Sequence, residues 1–289
     1  MKAYLLGLAG VVMFAITFPM TRLAVGTLDA PQLSPWFSAL GRAAVAGILS
    51  LFYLAFTRTP KPEKSDWLPL ALTSLCIVFG FPVLTTLALR QVEAIHASVL
   101  YGFLPLMTAA IGAYMTKKRP SIWFWLCALV GSALVVAYAI FRNPDSASNF
   151  GVQSADVLLF LAMVFAAYGY AKGAEVTARL GAERVICWAL VISLPITLPV
   201  ALMLWPSTPI NTASWLGFAY ISVFSMWLGF FAWYRALAIG GTVRISQIQL
   251  IQPFLSMVFA VPILGERLDL LTVGFAVAVI ATVFIGKKL

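Results

Sequence analysis

Residues 245 to 264 read "ISQIQLIQPFLSMVFAVPIL", an apolar stretch whose polar side chains include Ser246, Gln249, Gln252 and Ser256. Their spacings of three, three and four place them on one face of a helix. Pro253 interrupts that helix, because it lacks an N–H and its ring presses on the carbonyl four residues earlier, that of Gln249. Hydroxyls, carboxamides and a freed carbonyl transfer no groups or electrons; their chemistry is neutral hydrogen bonding to a ligand. A second stripe lies 148 residues earlier in Ser98, Tyr101, Leu104 and Thr108, with Pro105 freeing the Tyr101 carbonyl. In a bilayer a freed carbonyl persists only when protein, water or a ligand satisfies it, and a substrate ammonium or hydroxyl would serve. The competing use of such side chains is to tie neighbouring helices together.

Other residues could add to such a site. Phe79, Trp227 and Tyr168 lie deep in apolar segments, where aromatic faces suit apolar or cationic parts of a ligand and serve equally for packing. Arg42 sits about seven residues inside its segment, roughly 10 Å deep, where a charge calls for a partner. It could draw in a substrate carboxylate or form a gate, but fastening neighbouring helices through their carbonyls is the expected role. Gly265 and Glu266 are expected to end the Pro253 helix and, with Arg267, to fasten it to the next. His96 is expected at a membrane interface. All ten carboxylates fall near segment ends or in loops, so no buried acid is visible for ion coupling.

Enzyme chemistry finds no support. There is no nucleotide-binding loop, no H-E-x-x-H and no nucleophile–base pair. One histidine and three scattered cysteines (Cys76, Cys127, Cys187) argue against a metal site and against disulfides. No cofactor is expected.

The elements that must hold these residues are membrane helices. Of 289 residues 62% are hydrophobic and 10% charged, too much apolar surface for a soluble exterior. Runs of about 18 or more apolar residues recur along the chain. Punctuation by Pro, Gly and charge divides it into ten spans near 3–25, 35–56, 67–90, 94–116, 122–141, 155–178, 184–205, 213–237, 242–264 and 270–286. The net charge of +9 follows the positive-inside rule rather than implying nucleic acid. Lys2, Arg58, Lys61, Lys64, Lys117, Lys118, Arg119, Lys172, Arg179, Arg184, Arg235, Arg244, Lys287 and Lys288 fall on one side. Only Arg22, Arg90, Arg142 and Arg267 fall on the other. Both termini are therefore expected in the cytoplasm, with the protein in the inner membrane.

The chain also resembles itself. Under a shift of 148, Trp67 meets Trp215, Leu68 meets Leu216, Ser98 meets Ser246, Pro105 meets Pro253 and Arg119 meets Arg267. At a shift of 153 "LLGLAGV" meets "LLFLAMV". The reading is an all-α polytopic protein of two five-helix repeats, 1–142 and 151–289. An odd number of spans inverts the second repeat, an architecture of many secondary transporters, whose site lies at mid-membrane between the halves.

The mid-helix proline followed by "ILGERL", with the arginine of "FSALGRAAVAGILSL", resembles the drug/metabolite transporter superfamily in its EamA-like branch. The resemblance covers essentially the whole chain and implies ten helices, export of small metabolites such as amino acids, and no bound cofactor. One departure stands out: Thr116-Lys117-Lys118-Arg119 occupies the place of the Gly-Glu pair in the first half. The expected function is alternating-access export of an amino acid or similar small polar metabolite by a monomer. Efflux of drugs or quaternary amines is the alternative within transport, and a lipid-modifying membrane enzyme the alternative outside it.

Overall fold

The computed structural model describes residues 2–115, 122–142, 153–240 and 247–288. Among them the structure is helical and contains no strand beyond an isolated bridge between Gly26 and Pro31. The helices are α1 (Lys2–Val25), α2 (Pro35–Phe56), α3 (Trp67–Ser74), α4 (Phe81–Leu89), α5 (Ala94–Tyr101), α6 (Leu104–Met115) and α7 (Ile122–Arg142). They continue with α8 (Ser154–Leu180), α9 (Ala182–Met203), α10 (Thr212–Tyr220), α11 (Gly229–Gly240), α12 (Gln252–Leu264) and α13 (Leu270–Lys288). Six helical stretches among the described residues are long and apolar enough to cross a membrane. These are Lys2–Val25, Pro35–Phe56, Lys64–Leu89, Ser154–Thr177, Ala182–Met203 and Thr212–Ala236. This is an all-α integral membrane protein.

Local sequence explains the helix ends. Ser34 caps α2, its Oγ accepting from the Phe37 N–H at 3.0 Å, and Pro35 takes the first helical position, where its missing N–H costs nothing. Asn211 caps α10 by accepting from Ser214 at 2.7 Å. Gly265 ends α12 in the left-handed region at φ 72°, donating its N–H to the Val261 carbonyl.

Two irregularities bear on function. Stretches of wider π-helical turns, Leu75–Gly80 and Ile221–Leu228, join α3 to α4 and α10 to α11. Among the described residues the prolined segments are discontinuous, each interrupted near its proline as the sequence indicates. The first stops at Tyr101 and restarts at Leu104; the second passes from a 3₁₀ stretch, Gln247–Ile251, into α12. Pro105 and Pro253 are each the second residue of the restarted helix. A proline is tolerated in the first turn, where an N–H has no intrahelical acceptor, so the chain breaks ahead of the ring instead of bending around it.

Packing pairs α2 with α9, α1 with α11 and α12, α8 with α3, α4 and α6, α5 with α12, and α7 with α13. Lipid tails are as apolar as leucine, so close approach through small residues must supply the attraction. A Cβ on Gly217 would stand 2.6 Å from the Met20 carbonyl oxygen of α1, and one on Gly47 would stand 2.7 Å from Leu194 Cγ of α9. Those contacts exist because both positions lack a side chain. The sequence-derived spans near 3–25, 35–56, 122–141, 155–178, 184–205 and 270–286 coincide with single helices to within a few residues, whereas those near 94–116 and 242–264 do not.

Candidate functional site

The two broken segments meet. Ser98 and Tyr101 at the end of α5, Leu104 at the start of α6, and Gln249, Gln252, Pro253 and Ser256 around the start of α12 line one cavity, closed on a further side by Phe18 of α1. It spans about 280 Å³ of atom-free space, open solvent included, but leaves room for only about one water molecule, too little for a metabolite in this conformation.

Its polar lining is under-used. Ser98 Oγ donates to the Ala94 carbonyl at 2.6 Å. The Tyr101 hydroxyl, Gln249 Nε2 and Ser256 Oγ are buried without a hydrogen-bond partner among the described residues. Leaving such groups unpaired costs about 1–3 kcal/mol each, so the site is built at the expense of stability. The Tyr101 ring is held edge-on against Phe18, centroids 4.7 Å apart, and lies 5.8 Å from Phe81.

Several expected site residues lie elsewhere. Thr108 is one turn further along α6, its Oγ1 donating to the Leu104 carbonyl at 2.9 Å, and does not reach the cavity. Phe79 packs in the cluster built around Phe14, Phe230 and Trp233. Trp227 stacks against Phe231 and Tyr53, at 5.0 and 6.3 Å. Tyr168 is half-buried on α8 and absent from the lining. Ser246 lies outside the described residues. Phe18, a lining residue the sequence did not mark, carries no polar signal to find it; Leu104 stood on the stripe as its apolar member.

Arg42 is 1% exposed, its Nε has no hydrogen-bond partner, and no carboxylate pairs with it among the described residues. The group within electrostatic range of its guanidinium is the Tyr101 hydroxyl. The expected fastening through neighbouring carbonyls is not found.

Glu266 corrects a second expectation. It does not fasten its own helix to α13: its two carboxylate oxygens accept from the Ala94 and Ile95 N–H groups, both at 2.8 Å, capping α5 across the bundle. A helix N-terminus presents free N–H groups and partial positive charge, which is what a carboxylate seeks. Arg22 adds to this closure by donating through Nη1 to the Leu89 carbonyl at 2.7 Å and to that of Val92.

His96 is buried rather than interfacial, its Nε2 lying 2.6 Å from Asp156 Oδ1. Asp156 stands near a segment end, as the sequence indicates, yet it too is buried. At the opposite end of the bundle Arg179 grips Asp66 through Nη2 at 2.6 Å and Nε at 2.8 Å. There Tyr53, Thr57, Thr177, Arg179, Glu183, Arg184 and Arg235 surround a cleft of about 1000 Å³, open solvent included. The contacts of Glu266 and Arg22 thus gather at one end of the bundle, and the cleft beside Arg235 lies at the other.

The profile of the EamA-like transporter family matches residues 1–139 and 153–286. A Bacillus subtilis (strain 168) protein named uncharacterized transporter YdeK is 39% identical over 284 residues, spanning 98% of this chain and 96% of its own. An uncharacterized transporter of Archaeoglobus fulgidus is 23% identical over 258 residues, 88% of each chain. A crystal structure of another protein superposes with a TM-score of 0.64 over 99% of this chain and 98% of its own, at 16% identity, which speaks to fold alone. With an unpaired polar cavity between broken helices, and with the family profile matching nearly the whole length, the chain belongs to the EamA-like transporter family and is a membrane transporter, not an enzyme.

Proposed function

We propose that the protein is a secondary carrier of the inner membrane that exports small polar metabolites, amino acids first, by alternating access. The carrying observation is the cavity where two discontinuous helices meet, lined by Tyr101, Gln249 and Ser256 with their donors unpaired. Groups left unsatisfied at such a cost fit a ligand that satisfies them.

Two five-helix halves of opposite polarity would rock about this site. Exchange of halves supports that reading: a shift of 148 carries the turns at Leu75–Gly80 onto residues 223–228, within Ile221–Leu228. The packing is consistent as well, since α1 against α11 in one sense answers α8 against α3 and α4 in the other, and α1 against α12 answers α8 against α6. The seal formed by Glu266 and Arg22, set against the open cleft beside Arg235, corresponds to a state closed outward, with termini and basic loops in the cytoplasm.

The test is release of preloaded radiolabelled amino acids from proteoliposomes. Release should exceed that from protein-free vesicles, and Gln249→Leu and Gln252→Leu should each slow it about tenfold at unchanged expression, a loss of about 1.4 kcal/mol. Unchanged rates in both variants would remove the cavity as the binding site.

A further inference from the structure

The cavity has a sign. The orphaned buried atoms of its lining belong to groups that can donate, the Tyr101 and Ser256 hydroxyls and the Gln249 amide nitrogen, and Arg42 Nε, within electrostatic range of Tyr101, is orphaned too. The restarted helices α6 and α12, of 12 and 13 residues, both begin at the cavity, since Leu104, Gln252 and Pro253 line it. Their N-termini bring partial positive charge to the same place from two directions, against the partial negative charge of the α5 C-terminus at Tyr101. Among the described residues no carboxylate lines the cavity; Glu266 is spent on α5, Asp156 on His96 and Asp66 on Arg179. A guanidinium 1% exposed in a membrane bundle, with no counter-charge, is an incomplete ion pair.

Resting on the carrier reading above, we propose that Arg42 with Tyr101 is the anchor for a substrate carboxylate, and that the transported class is small monocarboxylates, amino acids included, rather than amines. The guanidinium is planar with donors in a fork that matches a carboxylate, and the Tyr101 hydroxyl supplies a further donor. One negative charge neutralises Arg42, whereas a cation would add a second positive charge to a site that already has one. The remainder of the substrate meets Phe18, Leu104 and Pro253, which suits a short apolar body. Tyr101 is wedged between Phe18 and Phe81 on the cavity wall, and Arg42 itself is not among the lining residues. Opening of the cavity is then what brings carboxylate and guanidinium together.

A matched set of solutes tests this: leucine, 4-methylpentanoate (no ammonium) and leucinamide (no carboxylate), each preloaded into proteoliposomes and followed by mass spectrometry of the released solute. Wild type should release the two acids at least tenfold faster than the amide. Arg42→Gln should erase that preference and Arg42→Lys should restore part of it, a change in ratio that loss of packing alone would not produce. Tyr101→Phe, which keeps the ring contacts, should lower acid release more than amide release, reducing the acid-to-amide ratio. If wild type moves leucinamide as fast as leucine, the anchor is wrong while the carrier reading stands. If wild type moves none of the three, both fall. Should Arg42→Gln fail to fold, the wild-type acid-to-amide ratio and Tyr101→Phe still decide the matter.

Discussion

His96 Nε2 and Asp156 Oδ1 are 2.6 Å apart in the interior, joining the start of α5 to the start of α8. The second Asp156 oxygen accepts from the Gln153 N–H at 2.9 Å, so one carboxylate both caps α8 and clamps α5. Removing one partner of a buried pair leaves the other unsatisfied. Asp156→Ala should cost about 3–5 kcal/mol in detergent unfolding. A double-mutant cycle with His96→Ala should show a coupling of about 0.5–3 kcal/mol, whereas strict additivity would mean that the contact carries no energy.

Glu266 should make stability depend on pH. Burial pushes its carboxyl above the ordinary value; the Ala94 and Ile95 N–H groups pull it down, Glu93 adds to the rise and Arg22 opposes it. An acid whose folded value is raised contributes stability that is complete below its unfolded value and is lost as pH climbs through the folded one. Against Glu266→Gln, the melting temperature of the wild type should therefore decline over that window above the ordinary glutamate range. A difference that stays constant with pH would show that Glu266 does not titrate there.

Pro253 opens α12 instead of interrupting a continuous helix, and this separates stability from activity. A proline inside a helix costs about 3 kcal/mol, so its removal from one would be strongly stabilising. Pro253→Ala should instead change stability by no more than about 1 kcal/mol. It also supplies an N–H that lets helix run through Gln249–Gln252, and amino-acid release should fall. Full activity with a large gain in stability would contradict the discontinuity.

Gly217 and Gly274 offer a packing comparison. A Cβ at Gly217 would approach the Met20 carbonyl to 2.6 Å and the Ala24 nitrogen to 3.0 Å, both backbone atoms that cannot rotate away. Gly217→Ala should force α10 from α1 and cost about 1–3 kcal/mol. Gly274→Ala, with nothing within 4 Å, should be neutral or slightly stabilising, which thermal melting of the two variants side by side would check.

Much was legible in the sequence because membrane helices are specified locally. The run from Pro35 to Phe56 announces itself by hydropathy and a following charged loop, and α2 occupies those limits. The stripes 98–101–104–108 and 246–249–252–256 were visible as helical spacing; Ser98, Tyr101, Gln249, Gln252, Pro253 and Ser256 line one cavity, whereas Thr108 does not reach it and Ser246 lies outside the described residues. Family membership was legible for the same reason, since short motifs and charge placement survive as strings.

What the tertiary structure decided was which distant groups meet. Glu266 reaches Ala94 across 172 residues and His96 reaches Asp156 across 60. No periodicity encodes such partners, because a carboxylate takes whichever donors the packing leaves free. Hydropathy placed Arg42 inside a span, but only packing showed that no carboxylate among the described residues pairs with it. The breaks before Pro105 and Pro253 likewise depend on neighbouring helices, which determine whether a bent helix or a restarted one leaves fewer backbone groups unsatisfied.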